Sequence, residues 1–343
     1  MELSVSKLNV GQYDVIIFLF SASQKGDLAI KKLKELMAVI FYFTFMKKKF
    51  RFLLFISLFI YTNTIAQKSS YTDSVNLWHQ QRMQDLRAPD GWINLAGLFW
   101  LQPGVNRMGS GTENELIFQH PDMPAKAGYF EWINNQVFWV TEPGIPVFLQ
   151  NQPINKILMM GTDAGSFPQL TLKNFRWNVI VRGDKIGVRF RDLASPALQS
   201  FKDIPRFPVL AQWKISAYFE PRAREAEKIE ILNVLGQKNL EASPGKLVFN
   251  YQQKTYRLDV LEEGDQWFIL FADSTSGKTT YPTGRFLYVP KKNPGELVFI
   301  DFNKAFNPPC AFTSFATCPI PPPQNRLPFA ITSGEKYKAH AEK

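Results

Sequence analysis

Three observations predict an all-β, mainly antiparallel fold for this chain. Its apolar runs are short, Gly, Pro and Asn separate them, and no stretch beyond residue 87 keeps a helical period. Alternating α/β units would need long amphipathic stretches between the strands. The expected arrangement is therefore two β-rich lobes, sandwich or barrel-like, over residues 67–200 and 201–343, with one N-terminal helix at about 73–87.

Residues 1–66 stand apart from this pattern. From Met46 the sequence MKKKFRFLLFISLFIYTNTIAQ has a basic start, an apolar core from Phe52 to Tyr61 and Thr64–Ile65–Ala66 before Gln67, the layout of a signal peptide over 46–66. Met46 is then the expected start, and residues 1–45 an upstream-start artefact. Leu36–Met46 and Phe52–Tyr61 are split by Lys47–Arg51, and each falls short of the roughly 20 residues a membrane span needs. The expectation is export to the periplasm or beyond, with no stable span after cleavage. The formal charge is +10, but residues 1–66 hold nine Lys and Arg against four acids. The remaining excess is spread thinly, which disfavours a nucleic-acid partner.

Helical spacing is confined to Tyr71–Arg87, where Val75, Trp78, Met83 and Leu86 recur, Asp73 or Ser74 serves as N-cap and Pro89 ends the run. From Trp92 the period falls to two: Ile93, Leu95, Gly97, Phe99 and Leu101 share one face before the turn-forming QPGVNRMGSG and a run at Glu115–Phe118. Runs at Trp132–Val140, Val147–Leu149, Leu170–Leu172, Trp177–Val181 and Ile186–Phe190 complete the first lobe. The second takes Trp213–Phe219, Lys228–Val234, Lys246–Tyr251, Lys254–Val260, Trp267–Ala272, Phe286–Val289 and Leu297–Phe302, with Gln252–Gln253 as a hairpin turn.

Polar groups interrupt the apolar runs most densely from Phe271 to Tyr337. Thr275, Ser276, Lys278 and Arg285 belong to one turn region; Asp301, Asn303, Asn307, Asn325 and Arg326 belong to the segment after it, stiffened by Pro321–Pro323. If that segment folds back as a strap, the two groups wall a cleft for a small polar or anionic ligand, with the planar forks of Arg285 and Arg326 supplying charge. A structural ion pair is the other reading of Arg285. Asp273 and Asp301, with Glu335, are the carboxylates open to acid–base chemistry, so a hydrolase is the second reading of the chain. A structural or partner-binding envelope protein is the third.

Other motifs narrow the choice. Ser276–Gly277–Lys278–Thr279–Thr280 ends like a phosphate-binding loop, but Ala272 stands where its first Gly belongs and Tyr281–Pro282 bars the helix that must follow. Arg189 and Arg191 share a strand face and, with Arg107, form either an anion-binding face or, with Asp192, a structural Arg–Asp network. Cys310 and Cys318 form either a bridge, favoured in an oxidising compartment and worth ~2–3 kcal/mol, or two free thiols. The three histidines, His79, His120 and His340, lie far from the cysteines in sequence, and no Gly-x-Ser-x-Gly elbow is present. Neither a metal, a cofactor nor a Ser–His–Asp triad is expected.

The phrases PDGWINLAGLFWL, GVNRMGSG, GVRFRDLASP, PGKLVF, FADSTSGKTTYPTGRFLY and DFNKAFNPPCAFTSFATCPIPPPQNRLPFAITSGEKY together resemble the bacterial and archaeal family called domain of unknown function 1684, over about residues 78–337. The resemblance implies a shared fold and no established activity, so no catalytic role is carried over. More weakly, residues 100–192 are similar to the forkhead-associated sandwich. They lack the Ser-x-x-His and Asn-Gly phrases with which such domains hold a phosphopeptide, so the similarity implies architecture without ligand chemistry.

Overall fold

The computed structural model describes residues 3–10, 13–20, 71–161, 167–222 and 228–338. The signal peptide expected at 46–66 lies outside them, as does His340. The chain divides into two compact units, Met1–Tyr71 and Thr72–Lys343. In the first, β1 (Leu3–Val10) and β2 (Tyr13–Phe20) pair antiparallel.

Helix α1, residues 71–87, leads into the second unit and buries Val75, His79, Met83 and Leu86, the three-to-four spacing of a single stripe. Helical geometry already includes Tyr71 and Thr72, so Asp73 and Ser74 sit inside the first described turns and neither is the cap expected from the sequence. After Pro89 the chain doubles back so tightly that a Cβ on Gly91 would lie 2.4 Å from the Leu86 carbonyl oxygen.

The first lobe contains β3 (Leu95–Trp100), β4 (Gly104–Gly109), β5 (Leu116–Ile117), β6 (Gly128–Ile133), β7 (Gln136–Thr141), β8 (Phe148–Leu149), β9 (Gln152–Pro153), β10 (Lys156–Met160), β11 (Leu170–Leu172), β12 (Phe175–Arg182) and β13 (Lys185–Asp192). They form a five-stranded sheet, β10-β7-β6-β4-β5, and a six-stranded sheet, β3-β13-β12-β11-β8-β9. One core joins them, with Met108, Phe130 and Trp139 from the first packed with Trp177, Val188 and Phe190 from the second. The single run expected at Trp132–Val140 is two strands. Asn134 and Asn135 both take positive φ, 50° and 59°, which closes a two-residue hairpin between β6 and β7.

A short helix α2 (Pro196–Ser200), capped by the Ser195 hydroxyl, precedes the second lobe. There β14 (Lys214–Pro221), β15 (Lys228–Leu232), β16 (Lys238–Ala242), β17 (Gly245–Tyr251), β18 (Lys254–Glu263), β19 (Gln266–Phe271), β20 (Arg285–Pro290) and β21 (Leu297–Asp301) follow. All but the β15–β16 hairpin join one sheet in the order β20-β19-β18-β17-β14-β21, which curls until its end strands approach each other around a core that includes Phe249, Trp267, Phe271 and Phe302. Gln252 and Gln253 make the expected turn, both with positive φ.

The C-terminal strap repairs a gap in this sheet. β18 and β19 pair only next to their turn, from Leu261 to Glu263, and are apart before Leu261 and beyond Phe268. Asn325 fills the opening: its Nδ2 donates to the carbonyls of Asp259 (2.9 Å) and Leu270 (2.8 Å), and its Oδ1 accepts from the Asp259 amide (2.8 Å). Leu327 N–H then bonds to the Ala272 carbonyl at 2.8 Å. A side-chain amide thus satisfies buried backbone groups that a continuous ladder would have paired.

Candidate functional site

The turn after β19 and the strap do converge, but the side chains expected to face a ligand face one another. Asp273 Oδ1 accepts from the Thr275 amide (2.7 Å), the Thr275 hydroxyl (2.6 Å) and the Ile331 amide (3.3 Å), while Oδ2 accepts from Arg285 Nη2 at 2.8 Å. Arg285 is fully buried and also donates to the carbonyls of Ile331 and Ser333. Burial pushes its guanidinium below the ordinary arginine range, and the adjacent Asp273 opposes that shift. Glu335, also buried, accepts from the Asn307 amide (2.7 Å) and from Arg82 Nε (3.1 Å). Asn303 exchanges two hydrogen bonds with the Leu210 backbone, and Asp301 accepts from the Asn303 amide at 3.2 Å.

Lys278 and Arg326 project into solvent away from this cluster. In the loop resembling a phosphate binder, the amides of Ser276, Gly277, Lys278, Thr279 and Thr280 all donate to the carbonyls of Asp273, Thr275 or Thr280. Such a loop must turn those amides towards phosphate, so this one is a self-closed turn. The cluster therefore clamps the strap, and none of its nine expected ligand-binding residues lines the cleft described next.

That cleft, of about 560 Å³, lies where α1, the outer face of the β12–β13 pair, the outer face of β19–β20 and the 309–319 loop meet. Alternation along the first pair sends Trp177, Val179, Val188 and Phe190 into the core and Arg176, Asn178, Arg182, Lys185 and Arg189 to the other side. Arg182 donates through Nε to the Thr317 hydroxyl at 3.3 Å and through Nη1 to the Val181 carbonyl. Arg189 lies over the Trp92 ring, 4.7 Å from guanidinium carbon to centroid, and its buried Nε has no hydrogen-bond partner. Burial first, then repulsion by Arg182 and Arg191, lowers its pKa to about 10, and no carboxylate offsets them.

Opposite these arginines is an aromatic row. Tyr288 stacks on Phe268 (5.0 Å between centroids) and on Phe306 (5.7 Å), and Trp78 of α1 adjoins Phe306 at 6.4 Å. Arg82 lies 4.5 Å over Phe306 while bonded to Glu335. The Tyr288 hydroxyl donates to Glu263 at 3.0 Å, and burial together with that carboxylate raises its pKa, keeping it a donor. Cys310 and Cys318 are joined by a disulfide, and Thr317 and Cys318 line the cleft beside Arg182.

Of the basic residues weighed from sequence, the structure separates three roles. Arg189 faces the cleft. Arg191 is bonded to the Asp90 and Gly91 carbonyls and to Asn178 Oδ1, and not to Asp192. Arg107 pairs with Glu115 at 2.8 Å. Trp78, Arg82, Arg182 and Tyr288 were not singled out as site residues. The alternation in FRWNVIVR places Arg176, Asn178 and Arg182 on one face and was the available signal for Arg182, but no local pattern joins a helix, two sheets and a loop. Among the described residues no group of three or more His, Cys, Asp or Glu is placed to hold a metal, and no helix is long and apolar enough to cross a membrane.

No curated protein matches the chain. Among solved structures, an uncharacterized protein of Haloarcula marismortui, determined by solution NMR, is 22% identical over 43% of this chain and 83% of its own, with a TM-score of 0.36. An FhaA FHA domain, solved in complex with the intracellular domain of Rv3910, is 12% identical over 27% of this chain and 97% of its own, with a TM-score of 0.19. A family model described as "Protein of unknown function (DUF1684)" matches residues 199–336, which span the second lobe, the clamped strap and the aromatic wall of the cleft. Over those residues, less than half of its length, the chain is similar to the DUF1684 family.

Proposed function

We propose that this is an exported protein that binds a small anionic ligand in the cleft between the β12–β13 arginines and the Phe268–Tyr288–Phe306 row. One observation carries the reading: Arg189 is largely withdrawn from water, lies on Trp92, and has neither a carboxylate partner nor an acceptor for Nε. A buried cation is costly unless an anion compensates it, and among the described residues no carboxylate pairs with Arg189. The cleft's size falls in the range of small-molecule sites. Hydrolysis by a carboxylate base gains no support, since Asp273 Oδ1 holds the Ile331 amide of the strap, its Oδ2 holds Arg285 of β20, and Asp301 caps its own turn.

A panel of small carboxylates and phosphates, screened by thermal shift, tests the binding reading. The wild type is expected to be stabilised by at least one anion class and Arg189→Gln by none. A wild type indifferent to every anion, or a variant that responds equally, removes the basis for the proposal.

A further inference from the structure

We infer that the ligand is a flat aromatic anion, its carboxylate or phosphoryl group on Arg189 and its ring system against the Phe268–Tyr288–Phe306 row. This rests on the anion-binding reading above and adds the nature of the ligand's body.

The first support is what the walls lack. The cleft is lined by Trp, Phe, Tyr, Arg and Pro side chains with a few small and polar residues and two exposed carboxylates, Asp85 and Glu263, and by no Leu, Ile, Val or Met. A site for an alkyl chain is built from flexible or branched aliphatic groups that wrap it. Rings reward another ring beyond the area covered, through offset stacking or edge-to-face approach. Phe268, Tyr288, Trp78 and Trp92 are each only half-buried, so ring surface remains for a ligand to cover.

The second support is how the polar lining groups are occupied. Gln81 donates to Asp85 at 2.8 Å, Tyr288 to Glu263 at 3.0 Å, and Arg82 to Glu335 and the Asn307 carbonyl. These groups already satisfy one another or the chain. A ligand with a hydroxyl-rich body would lose its water to walls that offer few vacant partners. Arg189 is the exception, with Nε unpartnered and its plane held by Trp92. A planar guanidinium fixed in this way presents a fork of donors to one oxyanion. One charged end and one apolar, flat body is the ligand that these two halves describe.

The test measures dissociation constants for the full chain, by calorimetry, with 2-naphthoate, 1-naphthyl phosphate, cyclohexanecarboxylate, D-glucuronate and inorganic phosphate. At least one naphthyl anion is expected to bind ten-fold or more tightly than cyclohexanecarboxylate and D-glucuronate, and the tighter of the two shows whether carboxylate or phosphoryl is the head group. Phe268→Leu should weaken the naphthyl anion while leaving any inorganic phosphate binding unchanged, and Arg189→Gln should abolish both. If cyclohexanecarboxylate, D-glucuronate or inorganic phosphate binds as tightly as the naphthyl anions, and Arg189→Gln abolishes it, the aromatic inference is overturned and the anion reading survives. If none of the five binds, both are overturned. The wild-type ranking decides the matter even if Phe268→Leu fails to fold.

Discussion

Two arginines with opposite surroundings show what burial does to a charge. Arg285 is enclosed with Asp273 and strap carbonyls, which take both of its terminal nitrogens, so its charge is paired although its buried Nε has no partner. Arg285→Met leaves the Asp273 carboxylate buried and unpaired, and is expected to cost about 3–5 kcal/mol in urea unfolding. Arg285→Met with Asp273→Leu should cost clearly less, because no uncompensated charge remains. Arg189 should behave in reverse. Its folded pKa, about 10, lies below the ordinary arginine range, so between the two the unfolded chain holds more protons and stability rises with pH. Below pH 10 the full cost is present, and Arg189→Met is expected to stabilise the unliganded protein, on the order of 3 kcal/mol at pH 7 by the size of the shift. That gain should shrink as pH climbs past 10. A destabilised variant at pH 7 would mean that the Trp92 stack outweighs the buried charge.

At the scale of elements, the strap is held by side chains standing in for backbone. Asn325→Leu keeps the volume and removes three hydrogen bonds to Asp259 and Leu270. Each buried group left unpaired costs about 1–3 kcal/mol, so a loss above roughly 2 kcal/mol is expected, with faster hydrogen exchange at the Asp259 amide. The 309–319 loop depends on its bridge instead. Cys310→Ser with Cys318→Ser should cost about 2–3 kcal/mol by releasing a short closed loop. It should also weaken anion binding, since Thr317 would no longer be fixed against Arg182. Unchanged affinity would show that this wall plays no part in recognition. The hairpin turns need no such support: Gln252–Gln253 was legible because two apolar runs flank it. Asn134–Asn135 was overlooked because the run around it reads as continuous until both residues turn to positive φ.

For the molecule as a whole, the proposed export makes a plain prediction: the N-terminal residue of the mature protein recovered outside the cytoplasm should be Gln67, by N-terminal sequencing. Retention of residues 46–66 there would contradict cleavage. The sequence by itself determined the β-rich class, the opening helix and most strand positions, because these follow from side-chain period and turn chemistry within a few residues of each position. It also marked Arg285, Asp301, Asn303, Asn307, Asn325 and Arg326 as groups expected to share one hollow, of which Arg326 projects into solvent instead. Only the tertiary structure decided what their meeting means. Whether a polar side chain faces a ligand or a neighbour depends on which backbone groups the packed sheets leave unpaired, and Asn325, Arg285 and Asp273 are taken up by the chain's own carbonyls and amides. The unpaired cation lies elsewhere, at Arg189, because helix, two sheets and a disulfide-closed loop meet around it while the lining carboxylates, Asp85 and Glu263, are bonded to Gln81 and Tyr288 and not to it. An absence of that kind is a property of packing among residues more than a hundred positions apart, and no local pattern encodes it.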